Sequence, residues 1–179
     1  MGIRAFCRRL FGFEARASDT RHAQRRNKPR LNARGGMRVL VVDDSPTIVA
    51  VLKRILQQNG YLVLEAEDAE KGVAIALAER PDLIFLDIVL PGMSGFAALR
   101  QLRRDLITRE IPIIMMSGNE QATEQFYAQR IGADDFMKKP FSRAEVFARI
   151  ERLLDVSLLP KRHGAAARAA EAEAPTAVR

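Results

Sequence analysis

Short apolar runs alternate with longer amphipathic stretches through the middle of the chain. The runs are rich in Val and Ile, which is typical of strands buried on both faces of a parallel sheet. They predict five strands, "RVLVV" (38–42), "YLVLEA" (61–66), "LIFL" (83–86), "IPIIMM" (111–116) and "DDFMK" (134–138).

The stretches between these strands carry the spacing of helices. Ser45–Asn59 has apolar residues on one helical face and stops at Gly60, a residue that often ends helices. Ser142 followed three residues later by Glu145 is the signature of a helix start stabilised by reciprocal capping. The other predicted helices are Asp68–Glu79, Ser94–Arg104, Glu120–Ile131 and Ser142–Leu154.

Five strands alternating with five helices predict an α/β fold with parallel strands and right-handed crossovers. In such sheets, ligands bind beyond the carboxyl ends of the strands. The polar residues of most chemical interest follow strand ends, namely Asp43, Asp44, Asp87, Ser117 and Lys139. We therefore expect these side chains to share one rim of the sheet.

Composition limits the classes of protein to consider. The chain has 179 residues, 47% of them hydrophobic, which suits one domain with extensions. The single Cys7 excludes an internal disulfide and favours a reducing compartment. No apolar run is long enough to span a bilayer, and the basic N-terminus lacks the apolar core of a secretory signal. We expect a cytoplasmic protein.

The positive charge is concentrated at the ends of the chain. Residues 1–36 hold ten Lys and Arg residues against two acids, whereas residues 37–156 hold 15 against 18. The sequence therefore divides into a basic N-terminal extension (1–36), a domain (37–156) and an Ala-rich tail (157–179) that we expect to be disordered. Because the excess charge belongs to the ends, the pI alone does not indicate nucleic-acid binding.

The first thirteen residues, "MGIRAFCRRLFGF", have two interpretations. Apolar residues at helical spacing, accompanied by arginines, suggest an amphipathic helix that touches an anionic membrane or a partner. The alternative is a disordered extension, or a start codon assigned too early. The basic linker that follows has no aromatic residues for base stacking, so we expect no sequence-specific DNA binding.

Three carboxylates on one rim would repel one another unless a cation balances them. Mg²⁺ prefers oxygen ligands and commonly binds one or two carboxylates together with a phosphate. Asp43 and Asp44 would form the metal seat, with Asp87 beside them. A simpler alternative is that Asp44 only caps the first helix.

A carboxylate can also act as the nucleophile of phosphoryl transfer. Asp87 precedes a Pro-Gly turn and Gly95, in a loop whose backbone can approach a ligand closely. Lys139 and the hydroxyl of Ser117 would then contact the phosphoryl oxygens. Taken singly, Ser117 could equally be a turn or capping residue, and Lys139 a solvated surface charge.

The motifs around these positions are "VVDDSPT", "LIFLDIVLPGMSGF", "PIIMMSG" and "GADDFMKKPF". With them, the stretch from about Met37 to Asp155 resembles the receiver domain of two-component response regulators. It is most similar to the stand-alone receivers of chemotaxis and of type IV pilus twitching motility. The resemblance implies a flavodoxin-like, doubly wound (βα)5 fold with a parallel five-stranded sheet in the order 2-1-3-4-5.

The resemblance also implies roles for individual residues. Asp87 matches the phosphoacceptor. Asp43 and Asp44, with Asp87, match the acids that hold Mg²⁺, and the Val89 carbonyl is a further expected ligand.

Two other matched positions belong to the switch. Ser117 matches the hydroxyl that follows the phosphoryl group, and Phe136 the aromatic residue that turns inward in response. Lys139 matches the lysine of the reaction site, and its bond to Pro140 is expected to be cis.

From these roles we expect a switch that accepts a phosphoryl group from a histidine kinase or a histidine phosphotransfer protein. It would present a changed surface to an output protein that the sequence does not name, with dimerisation on phosphorylation left open. It would not be a turnover enzyme, because its chemistry is limited to self-phosphorylation and autodephosphorylation. The alternatives are a phosphate sink and an adaptor whose basic N-terminal arm binds membrane or nucleic acid. A phosphatase of the haloacid dehalogenase type is disfavoured, because that class has an acid where this chain has Val89.

Overall fold

The computed structural model describes residues 35–118 and 122–162. The hypotheses about the basic extension and residues 1–13, and about residues 163–179, concern parts of the chain outside these ranges. No helix within the described ranges is long and apolar enough to cross a membrane.

The described chain alternates five strands with five helices. The elements are β1 Arg38–Val42, α1 Pro46–Gln57, β2 Leu62–Ala66, α2 Ala69–Glu79, β3 Leu83–Asp87, α3 Gly95–Arg104, β4 Ile113–Ser117, α4 Ala122–Ile131, β5 Asp135–Lys138 and α5 Arg143–Arg152.

The five strands form one parallel sheet in the order β2-β1-β3-β4-β5, which confirms the expected fold class. Alternate strand residues point to opposite faces, and each face is covered by helices. Residues such as Leu40 and Ile84 belong to a core shared with α2, α3 and α4. Their neighbours Val41 and Phe85 belong to a second core shared with α1 and α5. Burial on both faces explains why the strand sequences are continuously apolar.

Two strands extend further than their apolar runs. β3 includes Asp87 and β4 includes Ser117 as their last residues. In the ladders Asp87 lies opposite Met116, and Ser117 lies opposite Lys138. The sheet itself therefore positions the polar residues at its carboxyl edge, rather than the loops that follow it.

The C-terminal end of the domain differs from our expectation. Residues 157–162 do not begin a disordered tail, because the chain turns back after α5 and pairs Leu154 with Pro160. The Lys161 amide donates to the Leu153 carbonyl at 2.7 Å. Arg162 Nε lies 3.5 Å from Asp134 Oδ1, next to the start of β5. Residues 157–162 are thus folded against the end of α5 and the start of β5, and the hydrophobic pattern of the sequence does not predict these contacts.

Candidate functional site

Three carboxylates meet at the carboxyl edge of the sheet. One oxygen each from Asp43, Asp44 and Asp87 lies within 4.8 Å of the other two. Asp43 and Asp87 are buried, with side chains 0% and 6% exposed, whereas Asp44 faces solvent. The predicted convergence of these acids is therefore present in the structure.

The loop from β1 to α1 fixes Asp43 and presents Asp44. The Asp43 amide continues the ladder by donating to the Ala66 carbonyl at 3.1 Å. Asp43 Oδ1 accepts from the Ser45 amide at 3.0 Å, which turns the chain into the helix. The residue at the cap position of α1 is Ser45 and not Asp44, so a capping role does not explain Asp44.

Lys139 ties two of the acids together. Its Nζ lies 2.6 Å from Asp43 Oδ2 and 2.9 Å from Asp87 Oδ2, and its side chain is only 15% exposed. The Lys139 amide donates to the Ser117 carbonyl at 2.7 Å, and the Lys139–Pro140 peptide bond is cis. Lys139 is therefore not a solvated surface charge.

Burial dominates the electrostatics of Asp87. It raises the pKa of this carboxyl, and nearby Asp43 raises it further, while Lys139 lowers it without cancelling the rise. For Lys139, burial alone would lower the pKa, but Asp43 and Asp87 outweigh it and the pKa lies above its usual value. The ammonium thus stays charged, and it contacts two acids, Asp43 and Asp87.

The donor set suits a hard divalent cation. All three side chains offer carboxylate oxygens, the ligands that Mg²⁺ prefers. Asp43 Oδ2 is buried, and the ammonium of Lys139 is its polar partner within the described ranges. Three carboxylates against one ammonium leave an excess of negative charge, which favours a bound cation. Val89 lies two residues after Asp87 in the sequence, and its side chain is 67% exposed. Its carbonyl remains a predicted ligand.

The structure gives a reason for glycine at position 95 that differs from the close approach of a ligand that we expected. A Cβ at this position would lie 1.8 Å from the Asp87 carbonyl oxygen and 3.0 Å from Ile88 Cα. The Gly95 amide also donates to the Ile88 carbonyl at 3.0 Å. The glycine therefore lets the start of α3 pack against the backbone that carries Asp87, rather than letting a ligand approach.

Ser117 is fully buried, and its hydroxyl donates a hydrogen bond to Glu124 Oε2 of α4. The sequence analysis missed Glu124 because an acid in the first turn of a helix is common and stabilising without further function. Its only sequence signal is its place in the helix that follows Ser117.

Phe136 lies on β5 opposite Met115 and is partly buried against the core shared with α3 and α4. It is not among the fully enclosed core residues. A partly buried ring beside a helix is compatible with movement, but its switch role remains a prediction.

Fold and site together define a receiver. Residues 39–151 match the response regulator receiver domain, so the chain belongs to this family, as its motifs predicted. Protein PilH of Pseudomonas aeruginosa is 41% identical over 117 residues, which are 65% of this chain and 97% of PilH. Transcriptional regulators also match at 39% or 40% identity, and this chain spans about half the length of each.

Solved structures show the same relationship. The chemotaxis protein CheY4 of Vibrio cholerae is 29% identical with a TM-score of 0.64, covering 67% of this chain and 100% of that one. The receiver domain of the sensor histidine kinase PA1611 from Pseudomonas aeruginosa is 31% identical with a TM-score of 0.62, covering 66% and 97%. That structure has a magnesium ion coordinated in its active site cleft.

Proposed function

We propose that this chain is a single-domain response regulator that accepts a phosphoryl group on Asp87 from a histidine kinase or a histidine phosphotransfer protein. The observation that carries the proposal is the Lys139 ammonium, which contacts both Asp43 and Asp87 while Asp44 completes an oxygen cluster beside them. The match to nearly the whole of PilH supports a receiver that acts alone, and the single cysteine supports a cytoplasmic setting.

The chemistry follows from these groups. A carboxylate oxygen of Asp87 forms the new bond to phosphorus as the phosphorus–nitrogen bond of a phosphohistidine breaks and the imidazole takes up a proton. Lys139 is close enough to Asp87 to stabilise negative charge on the phosphoryl oxygens. Asp43, Asp44 and Asp87 would hold Mg²⁺, with the Val89 carbonyl as a further ligand. The ion supplies neutralisation of charge when bound.

The output follows from the neighbours of the site. The Ser117 hydroxyl would turn towards the phosphoryl group, and Phe136 would move into the space that this releases. Both residues pack beside α4, so the exposed surface of α4 and β5 would change. A local change in charge would thereby select between two arrangements of one surface and alter the binding of an output protein.

Phosphorylation of the full chain by acetyl phosphate tests the proposal. Intact mass spectrometry with Mg²⁺ present should show one added phosphoryl group on the wild type and none on Asp87→Asn. Removing divalent cations with EDTA should prevent the labelling of the wild type. Equal labelling of Asp87→Asn, or a label mapped to another side chain, would disprove the assignment.

A further inference from the structure

The hydrogen bond between Ser117 and Glu124 joins the reaction site to α4. Ser117 is the last residue of β4 and is 0% exposed, while Glu124 lies in the first turn of α4. The Ser117 hydroxyl donates to Glu124 Oε2. A hydrogen bond to a carboxylate is stronger than one between neutral groups, so this contact holds the hydroxyl in a defined direction.

The contact matters because a serine hydroxyl has only one proton to donate. If that proton is shared with Glu124, it is not available to an oxygen of a phosphoryl group on Asp87. Donation to the phosphoryl group therefore requires the bond to Glu124 to break. The strength of that bond is a cost that opposes the phosphorylated arrangement.

The packing of α4 makes this contact consequential. Of the α4 side chains from Glu124 to Ile131, only Ala128 is fully buried, and Phe126 and Tyr127 are 61% and 47% exposed. α4 also contacts α3, since Arg100 Nη2 donates to the Tyr127 hydroxyl at 2.7 Å, whereas the Glu124 contact with Ser117 ties its first turn to the end of β4.

We propose that Glu124 is a positioning residue that holds Ser117 against α4 in the unphosphorylated protein and so restrains both the reaction site and the helix. This inference rests on the proposed function, because it needs Asp87 to take the phosphoryl group. The competing explanation is that Glu124 only stabilises the helix start through its charge. The two explanations differ in whether Ser117 is required for the effect of removing Glu124.

Binding of beryllofluoride with Mg²⁺, a mimic of the phosphoryl group, separates these explanations. The full-length chain labelled with ¹⁵N is titrated and followed by NMR. Glu124→Ala should bind about tenfold more tightly than the wild type, because the bond that must break is absent. Glu124→Gln should show a smaller gain, since its amide oxygen still accepts a hydrogen bond. Gln125→Ala, which changes an exposed neighbour on α4, should bind like the wild type.

The decisive comparison measures the effect of Glu124→Ala in a protein that already carries Ser117→Ala. If Glu124 acts through the hydroxyl, adding Glu124→Ala to Ser117→Ala should not change the affinity further. An equal gain in both backgrounds, or wild-type affinity in Glu124→Ala and Glu124→Gln, would overturn the inference. Should Glu124→Ala fail to fold, Glu124→Gln carries the same comparison because it keeps the shape of the side chain. Binding that Asp87→Asn does not weaken would instead overturn the proposed function, whatever the Glu124 variants show.

Discussion

The charged form of Asp87 is disfavoured in the folded protein. Burial raises its pKa, and the contribution of Lys139 does not fully reverse this. The folded protein consequently binds the proton of Asp87 more tightly than the unfolded chain does. The unfavourable contribution is absent below the usual carboxyl pKa and appears as the pH rises through the raised value of the folded state.

Replacing Asp87 by Asn should therefore stabilise the protein without metal. We expect the free energy of unfolding at pH 7 to rise by roughly 1 kcal/mol, because a neutral side chain avoids the desolvated charge. Urea unfolding in EDTA measures the change, and the gain should shrink as the pH falls from the raised pKa of the folded state towards the usual carboxyl pKa. Glu151→Gln, at an exposed acid of α5, serves as the matched control. A less stable Asp87→Asn protein at pH 7 would contradict this account.

The residues that form the site differ in how readily the sequence reveals them. Asp43, Asp87 and Lys139 were predictable because each follows an apolar strand, and parallel strands end at the same edge. Glu124 was not, because its contact with Ser117 depends on how α4 is placed over the sheet. A contact of that kind follows from tertiary packing, which periodicity does not contain.

Among the elements, the junction between β3 and α3 is the tightest near the site. The start of α3 approaches the backbone of Asp87 so closely that a Cβ on Gly95 would overlap the Asp87 carbonyl. Ser94 caps the same helix by accepting from the Ala97 amide at 3.3 Å. The position of Asp87 therefore depends on the packing of α3 against its backbone.

Gly95→Ala should damage both stability and phosphorylation. The added methyl group must displace α3 or the carbonyl of Asp87, and we expect a loss of about 2 kcal/mol in the free energy of unfolding. Urea unfolding and labelling by acetyl phosphate measure the two effects. Gly35→Ala is the control, because a Cβ there meets nothing within 4 Å. If Gly95→Ala behaved like Gly35→Ala, the close approach would not constrain the site.

The boundaries of the elements were predicted to within a few residues because each apolar run or face has a visible start and stop. The predicted fourth strand was too long, since β4 begins at Ile113, after Pro112. Proline has no amide proton to contribute to a ladder, so this residue suits the strand's edge better than its interior. Local sequence chemistry thus explains why most boundaries were predicted closely and why β4 begins later than predicted.

For the molecule as a whole, the carboxyl edge of the sheet carries the acid cluster, whereas the opposite edge carries a cluster of buried polar contacts between elements. At the amino end of β5, the Asp134 side chain is fully buried, and its Oδ2 lies 2.6 Å from Arg103 Nη2 and 2.9 Å from the Ile113 amide. Arg162 Nε lies 3.5 Å from Asp134 Oδ1 and so connects residues 157–162 to this cluster. The hydrogen bonds of Asp134 with Arg103 and with the Ile113 amide hold α3, β4 and β5 in one arrangement.

A chain ending at Val156 should therefore be less stable than one ending at Arg162. We expect a difference of roughly 1 to 2 kcal/mol in the free energy of unfolding, because the shorter chain loses the Leu154–Pro160 pairing and the Arg162 contact. Urea unfolding of the two proteins measures it. In the longer chain, Arg162→Met tests how much of the difference comes from the ion pair. Equal stability of the two truncated chains would show that residues 157–162 contribute nothing to the domain.

The order of the strands could be inferred from the motifs by resemblance, whereas the folding of residues 157–162 against the domain could not. The turn after α5 is held by the hydrogen bond from Lys161 to Leu153 and by the contact between Arg162 and Asp134. Nothing in the hydrophobic pattern of the sequence links these residues. Alternating hydrophobicity records which faces are buried, but it does not record which backbone groups pair beyond the last helix.

Asp43, Asp87, Ser117 and Lys139 all lie at the ends of strands, and none of these four side chains occupies the outward surface of a helix. If the proposed reaction takes place there, substitutions on the exposed helix surfaces should change what the protein binds and leave the reaction site intact. Recognition and chemistry would then be separable by mutation in this fold.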